Sequence, residues 1–321
     1  MIRSVVLPGT GLEVSCLGFG CASLGSRISA TAGLAALERA HEAGVTWFDV
    51  APAYGAGEAE ATLGRFLAAR RDSVCVLTKV GLAPPRRSPL LRGAYAAARP
   101  LGSMLRGLRK SSRRLQATHN RVLALTPDLI ENSIARSLAK LRTETVDVYA
   151  LHDPDPRLVT DEAVISALEA VLRRGQARFV GIAGDLDACL AGAASGHPYT
   201  VFQTALRPLA GDTERIAETA KRPVTVIGHS VLGVGGAKEA LVERLRSDMD
   251  GAKALRESGY AANDLDAAVG ALLLDAALAA NASGVTLVSM FQPAHLARNL
   301  ARAEPSPRHE ALALLRRLSP A

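Results

Sequence analysis

Residues 45–79 read VTWFDVAPAYGAGEAEATLGRFLAARRDSVCVLTK. Two short apolar runs rich in β-branched residues, VTWFDV at 45–50 and VCVLTK at 74–79, stand at its ends. Such runs, bounded by turn residues, are the pattern of buried strands. The first reaches Asp49 and the second closes on Lys79, so each apolar strand delivers a charge at its C-terminal end.

Working outward, the same kind of run recurs. CLGFG at 16–20 precedes this stretch. VDVYAL at 146–151, RFVGI at 178–182, TVFQT at 200–204, VTVIG at 224–228 and VTLV at 285–288 follow it. Most of the eight are separated by segments with helical periodicity. Leu34, Leu37 and Ala40 share a face in 30–43, and Leu129, Ile134, Leu138 and Leu141 nearly do in 128–141. Val164, Leu168 and Leu172 share one in 161–172. Thr126-Pro127 ahead of Asp128 is a good helix start. Strands that alternate with helices pair in parallel, and eight such units predict closure into an α/β (β/α)₈ TIM barrel. The rival is an open doubly wound sheet, which predicts a GxGxxG turn after an early strand. Gly18-Phe19-Gly20 runs instead into Cys21-Ala22-Ser23. Residues 3–15 carry Pro8-Gly9-Thr10-Gly11 between short apolar runs, the pattern of a hairpin able to plug the barrel's N-terminal end. No linker or further repeat stands out, so residues 1–321 read as one barrel domain.

Composition agrees with this reading. Of 321 residues 48% are hydrophobic and only 4% aromatic, so Leu, Val and Ala must fill an ample core. A charged fraction of 21% argues against disorder. Cys16, Cys21, Cys75 and Cys189 have no metal-ligand spacing, and three of them sit in or beside strand-like runs. Reduced, buried thiols of a cytoplasmic protein are the expectation. The N-terminal MIRSVVLPGTG lacks the apolar core and cleavage site of a signal peptide. Ala267 to Ala282 is the most apolar stretch, but it carries Asp275 and is too short to span a bilayer. It reads as a buried helix, and no stable membrane insertion is expected.

Functional residues of such a barrel gather at the C-terminal ends of its strands. Asp49 ends the second strand, with Tyr54 five residues into the loop; Lys79 ends the third; His152 ends the fourth. Each has a plain structural role open to it: a turn cap for Asp49, loop packing for Tyr54, a satisfied core histidine for His152. Joint placement on three consecutive strand ends points to chemistry instead. A phenol is a poor acid near neutrality, with an ordinary pKa of about 10. A neighbouring ammonium favours the phenolate, so Lys79 is expected to lower that value. The buried lysine needs a counter-charge, which Asp49 supplies. A histidine beside the phenol can donate a hydrogen bond to a carbonyl oxygen, and the set suits protonation of an alkoxide as hydride arrives.

These motifs resemble the aldo-keto reductase superfamily, in its sugar and aldose dehydrogenase-like branch. Phe48-Asp49-Val50-Ala51-Pro52-Ala53-Tyr54-Gly55, continuing to Gly57-Glu58 and Leu63-Gly64, is similar to the family's signature around its aspartate and tyrosine. Leu77-Thr78-Lys79-Val80-Gly81 resembles its lysine strand and Leu151-His152-Asp153-Pro154-Asp155 its histidine strand. Leu12-Glu13-Val14-Ser15 through Gly18-Phe19-Gly20 is similar to its opening hairpin and first strand. The resemblance implies direct hydride transfer from NADP or NAD without metal. It implies Tyr54 as general acid/base, Lys79 and Asp49 tuning it, and His152 orienting the carbonyl.

On the cofactor side the resemblance implies Gly20, Asp49, Gln203, His229, Ser230, Leu232, Ser289, Gln292, Arg298 and Asn299 as contacts. Several depart from the family's pattern. His229 stands where an aromatic ring usually stacks on the nicotinamide. Ala183-Gly184-Asp185 replaces serine and asparagine, which puts a carboxylate near the cofactor. Ser289, Met290 and His295 occupy the places of a lysine, a serine and an arginine that grip a 2′-phosphate. Arg298 replaces a glutamate near the adenine, which leans the choice towards NADP.

One segment is atypical. Residues 84–122 follow the third strand and carry ten basic residues and no acidic one, more than the whole chain's net charge of +7. Rising on the active-site rim, this insertion would draw an anionic substrate or partner. Nucleic acid is not expected, since no such motif is present. The predicted function is NAD(P)-dependent reduction of an aldehyde or ketone, or oxidation of the matching alcohol or aldose. The alternative is a cofactor-binding regulatory or interaction protein with a vestigial reductase site.

Overall fold

The computed structural model describes residues 2–84, 120–196, 198–233, 236–260, 264–304 and 308–319. All eight expected runs are strands: β3 (Leu17–Gly20), β4 (Trp47–Asp49), β5 (Cys75–Val80), β8 (Val146–His152), β9 (Ala177–Ala183), β10 (Tyr199–Ala205), β11 (Thr225–His229) and β12 (Val285–Val288). They form a closed barrel in that order, every pair parallel, and β12 returns to β3. Closure leaves no unpaired edge, and it places all eight C-terminal ends on one rim. The doubly wound alternative is thereby excluded.

Helices return the chain from the end of one strand to the start of the next. Three begin at side-chain caps, the one at Thr126 as its sequence predicts. Ser29 caps Ala30–Glu42 through Ala32 N, Thr126 caps Pro127–Leu141 through Leu129 N, and Asp161 caps Glu162–Arg173. Each cap satisfies backbone donors that the first helical turn leaves unpaired, an effect of about 1 kcal/mol. Of the faces identified by periodicity, Leu37, Ala40, Ile134, Leu138, Leu141, Val164 and Leu168 are buried, and Leu34, Leu129 and Leu172 are half-buried against the core.

Four of the aromatic residues form one cluster. Phe19, Phe48 and Phe66 are buried on the outer face of β3 and β4, where Phe48 and Phe66 lie 5.0 Å apart. Phe291 closes edge-on against Phe19 at 4.8 Å, tying the chain's C-terminal part to its first barrel strand. A second apolar cluster forms among the helices Ala237–Ser247, Met249–Glu257, Leu265–Ala280 and Glu310–Leu318. Leu265–Ala280 is the predicted buried helix. Its Asp275 is buried and bonded by Tyr260 Oη at 2.8 Å and by the guanidinium of Arg302. A buried carboxylate is tolerable only with such partners. Among the described residues no helix is long and apolar enough to cross a membrane.

The N-terminal hairpin pairs β1 (Ser4–Val6) with β2 (Glu13–Ser15), Val5 opposite Val14. Leu7, Leu12 and Val14 are buried. The Pro8 carbonyl accepts a bond from Thr225 Oγ1 at 2.7 Å, and Ser15 Oγ accepts from Thr46 N at 2.9 Å. Thr225 and Thr46 lie at strand starts, so the hairpin covers the N-terminal end of the barrel, as its sequence predicts. At the other end, β6 (Leu82–Ala83) pairs with β7 (Arg121–Val122) in a two-stranded ribbon. The ribbon holds the two ends of the basic insertion; residues 85–119 of that insertion lie outside the described part.

Candidate active site

Three adjacent strands, β4, β5 and β8, bring the expected groups to one rim. Asp49 is the last residue of β4, Lys79 the penultimate residue of β5 and His152 the last of β8. Tyr54 opens the short turn Tyr54–Gly57 that follows β4. Lys79 Nζ is the hub. It donates to Asp49 Oδ2 at 2.7 Å, to the Val50 carbonyl at 3.2 Å and to Tyr54 Oη at 3.3 Å. Lys79 is 1% exposed and Asp49 2%, so the ammonium has no water to replace these partners. The His152 ring stands edge-on to the Tyr54 ring at 5.7 Å.

The geometry explains how Tyr54 is held. Gly55 has φ +59, and a Cβ there would fall 1.6 Å from the Leu24 carbonyl oxygen. Backbone therefore packs directly on backbone between the loop after β3 and the turn that carries the phenol. Only glycine combines that φ with that approach.

Burial governs the electrostatics. It pushes the Tyr54 phenol above its ordinary value; Lys79 pulls down and Asp49 pushes up, and the net direction is upward. Lys79 thus lowers the phenol's pKa, as expected, but burial outweighs it, because the phenol loses more hydration than one ammonium, itself neutralised by Asp49, returns. For Lys79 burial acts downward, and the Asp49 and Tyr54 charges outweigh it, so the ammonium stays charged. Burial, with the positive charge of Lys79, brings His152 down to about 3, so its ring is neutral. A neutral imidazole retains one N–H donor.

A cleft of about 350 Å³ opens over this cluster. Of the expected cofactor contacts, Gly20, Asp49, Gln203, His229, Ser230 and Ser289 line it. Gln203 is buried and its Oε1 has no partner; the same is true of His152 Nδ1. His229 Nδ1 lies 3.0 Å from Ser230 Oγ, and burial lowers the pKa of the His229 ring. Leu232 is half-exposed and stands outside the cleft. Gln292 and Arg298 are exposed, and Asn299 half-buried, on and beside the helix Pro293–Ala303. Arg298 Nε bonds the Ala294 carbonyl.

Two unusual residues have structural explanations. Asp185 does not line the cleft. It caps the helix Leu186–Ser195, accepting from Ala188 N at 2.8 Å, so the carboxylate expected beside the cofactor serves a helix end. Met290 is buried in the core rather than presented to a ligand, while His295 is exposed. Conversely, the cleft contains residues given no role in the sequence reading: Ala22, Ser23, Arg27, Asp153, Leu287 and Val288. Their one shared signal is position, immediately after or at the end of a barrel strand. All four cysteines are free, three buried and Cys75 half-buried. No cluster of metal-ligating side chains occurs among the described residues.

Comparison with known proteins follows the same lines. The model of the Aldo/keto reductase family matches residues 16–315. D-threo-aldose 1-dehydrogenase of Pseudomonas sp is 34% identical over 179 residues, covering 54% of this chain and 50% of that enzyme. L-galactose dehydrogenase of Arabidopsis thaliana is 29% identical over 185 residues, covering 56% and 47%. The chain thus spans about half the length of the curated relatives it matches. The solved aldo-keto reductase AKR11C1 from Bacillus halodurans, in its holo form, superimposes with a TM-score of 0.69 at 21% identity. That match covers 100% of this chain and 97% of the other. A thermostable aldo-keto reductase, Tm1743, superimposes at 0.66 and 20% identity over 99% and 100%. These last two likenesses are likenesses of fold.

Proposed function

From the premise that this chain belongs to the aldo/keto reductase family, we propose that it is an NAD(P)-dependent oxidoreductase of one barrel domain, residues 1–321. It reduces an aldehyde or ketone to the matching alcohol, or oxidises the matching alcohol or aldose. The observation that carries this reading is the buried Asp49–Lys79–Tyr54 chain, with bonds of 2.7 and 3.3 Å, beside the neutral His152. Support for the sugar-like class comes from the aldose and galactose dehydrogenases among its relatives.

In the reduction direction, Tyr54 donates its phenolic proton to the oxygen of the former carbonyl. Lys79 stabilises the phenolate that remains, and Asp49 keeps Lys79 charged and fixed. His152 donates its ring N–H to the carbonyl oxygen, orienting it before the proton moves. In the oxidation direction the phenolate takes the proton back. Burial of Tyr54 strengthens every one of these interactions by excluding water.

A nicotinamide group fits the neighbouring strand ends. Gln203 offers a buried, unpartnered carbonyl oxygen to an amide donor, and His229, Ser230 and Ser289 surround it. When bound, NAD(P) supplies or accepts the hydride. Gly20 and Asp49 would border it, and Leu232, Gln292, Arg298 and Asn299 would hold the distal nucleotide. Arg298 favours NADP, since a guanidinium matches a phosphate. A small molecule, rather than nucleic acid, is the partner, and four unpaired cysteines favour the cytoplasm.

The test is cofactor titration followed by turnover of a panel of aldehydes and aldoses in both directions. Turnover that depends on Tyr54 supports the reading. Cofactor binding without turnover in either direction, unchanged in Tyr54→Phe, rejects it in favour of a binding protein.

A further inference from the structure

The cleft holds four charged side chains at its lining: Asp49, Lys79, Arg27 and Asp153. The first two neutralise one another at 2.7 Å. The other two have no ion-pair partner among the described residues, and they lie on opposite flanks of the catalytic strands. Around the rim the strands run β3, β4, β5, β8. Arg27 is in the loop after β3, and Asp153 follows His152 at the end of β8. The reacting groups are thus bracketed by a cation and an anion that form no ion pair among the described residues.

The Arg27 loop is built to hold its position. Ser23 O accepts from Ile28 N at 3.1 Å, and Gly25 N donates to Ile28 O at 2.9 Å. Leu24 is fully buried beneath the loop, and its carbonyl is the one packed against Gly55. The base of the Arg27 loop and the Tyr54 turn therefore share one backbone contact. Arg27 Nη2 donates to Ser23 Oγ at 2.7 Å. That bond uses a lone pair of the hydroxyl and leaves its proton free to donate. Guanidinium and hydroxyl together present several donors and a positive charge, the chemistry that binds a carboxylate or a phosphate. Asp153 holds φ +47, a conformation uncommon outside glycine, and such strain gathers at ligand-binding positions. Its carboxylate repels an anion and accepts from hydroxyl groups.

We propose that Arg27 and Ser23 form an anion subsite for the substrate, so that the preferred carbonyl compound carries a carboxylate or phosphate directed to the β3 side. Asp153, on the β8 side, enforces that orientation and takes the substrate's hydroxyl groups. This rests on the reductase reading above and goes beyond it in assigning the substrate's charge.

Matched pairs test it: glucose against glucuronate for a carboxylate, and erythrose against its terminal phosphate ester for a phosphate. The wild-type protein is expected to favour the anionic member of at least one pair by roughly tenfold in kcat/KM, through KM. The pair that shows the preference identifies the anion. Arg27→Gln should collapse that ratio towards one, and Asp153→Asn should raise it. Added salt should lower it, since exposed charges are screened within about 10 Å at 0.1 M. A ratio near one in the wild type for both pairs, or a ratio unchanged in Arg27→Gln, overturns the proposal. Thermal stabilisation of the cofactor-saturated protein by the same anionic compounds gives a readout independent of turnover. Stabilisation that is lost in Arg27→Gln upholds the subsite, and its absence in the wild type overturns it. Absence of any turnover refutes the reductase reading instead, while the thermal shift still decides the subsite.

Discussion

The two ends of this barrel use charge in opposite ways. At the N-terminal end, Asp147 is buried at the start of β8 and fully engaged. It accepts from Val76 N at 2.9 Å and from Arg178 at 3.0 Å, and it pairs with Arg71 at 3.0 Å. Arg71 also bonds the carbonyls of Val74 and Thr145. At the C-terminal end, among the described residues, Arg27 and Asp153 face the cleft without ion-pair partners, and Gln203 Oε1 and His152 Nδ1 are buried without a hydrogen bond. The Asp49–Lys79–Tyr54 chain is paired there. One end binds the charged groups around Asp147 to one another, which serves stability. The other keeps them available, which serves recognition and chemistry.

The largest expected effect separates chemistry from stability. Tyr54→Phe removes the proton donor and keeps the ring, so kcat/KM for reduction should fall by about a hundred- to ten-thousand-fold. Cofactor affinity and the unfolding midpoint should hardly move. A loss below tenfold in steady-state kinetics would return Tyr54 to a packing role.

Lys79→Met touches both properties. It strands the buried Asp49 carboxylate, a change that costs about 3–5 kcal/mol where a buried pair is broken. Adding Asp49→Asn should recover much of the stability but none of the activity. Urea unfolding read beside turnover distinguishes this from a lysine needed for structure alone, in which the double variant would regain both.

At the opposite end, Asp147→Asn should lower stability by about 2 kcal/mol, because the Arg71 and Arg178 charges lose their counter-ion in a partly exposed setting. Turnover per folded molecule should stay within about twofold. A large fall in kcat without unfolding would break the division between the two ends.

A further effect is in pH dependence. His152 is held neutral in the folded protein down to about 3, whereas an unfolded histidine protonates near 6.5. Between these values the unfolded chain binds the extra proton. Stability therefore falls as pH drops through 6.5 and levels off near 3, with a slope of up to about 1.4 kcal/mol per pH unit. His152→Gln should flatten this part of the curve. An unchanged slope would mean that other groups set it.

Legibility in the sequence follows the range of the interactions. Strand runs and helix starts are local, so all eight strands and the helix start at Thr126 were readable from neighbouring residues. The quartet was readable because barrel topology converts consecutive strand ends into spatial neighbours. Asp185 caps the helix Leu186–Ser195 through Ala188 N, a role that a carboxylate after a strand can fill and that the sequence reading did not single out. Arg27 went unnoticed because nothing in residues 21–29 reveals that Leu24 anchors the loop against Gly55 and holds Arg27 at the cleft.

By itself the sequence determined the period of the chain, the closure of the barrel and the identity of the groups on its rim. Those properties depend on side-chain alternation and on a topology with few solutions. Tertiary structure decided the balance of forces on those groups. Lys79 lowers the phenol's pKa, but the net direction depends on how much water burial removes, and burial prevails. Which charges find partners depends on distances between segments far apart in the chain. Asp49 and Lys79 meet; Arg27 and Asp153 are left facing the cleft because the loop after β3 and the end of β8 hold them on either side of the reacting groups.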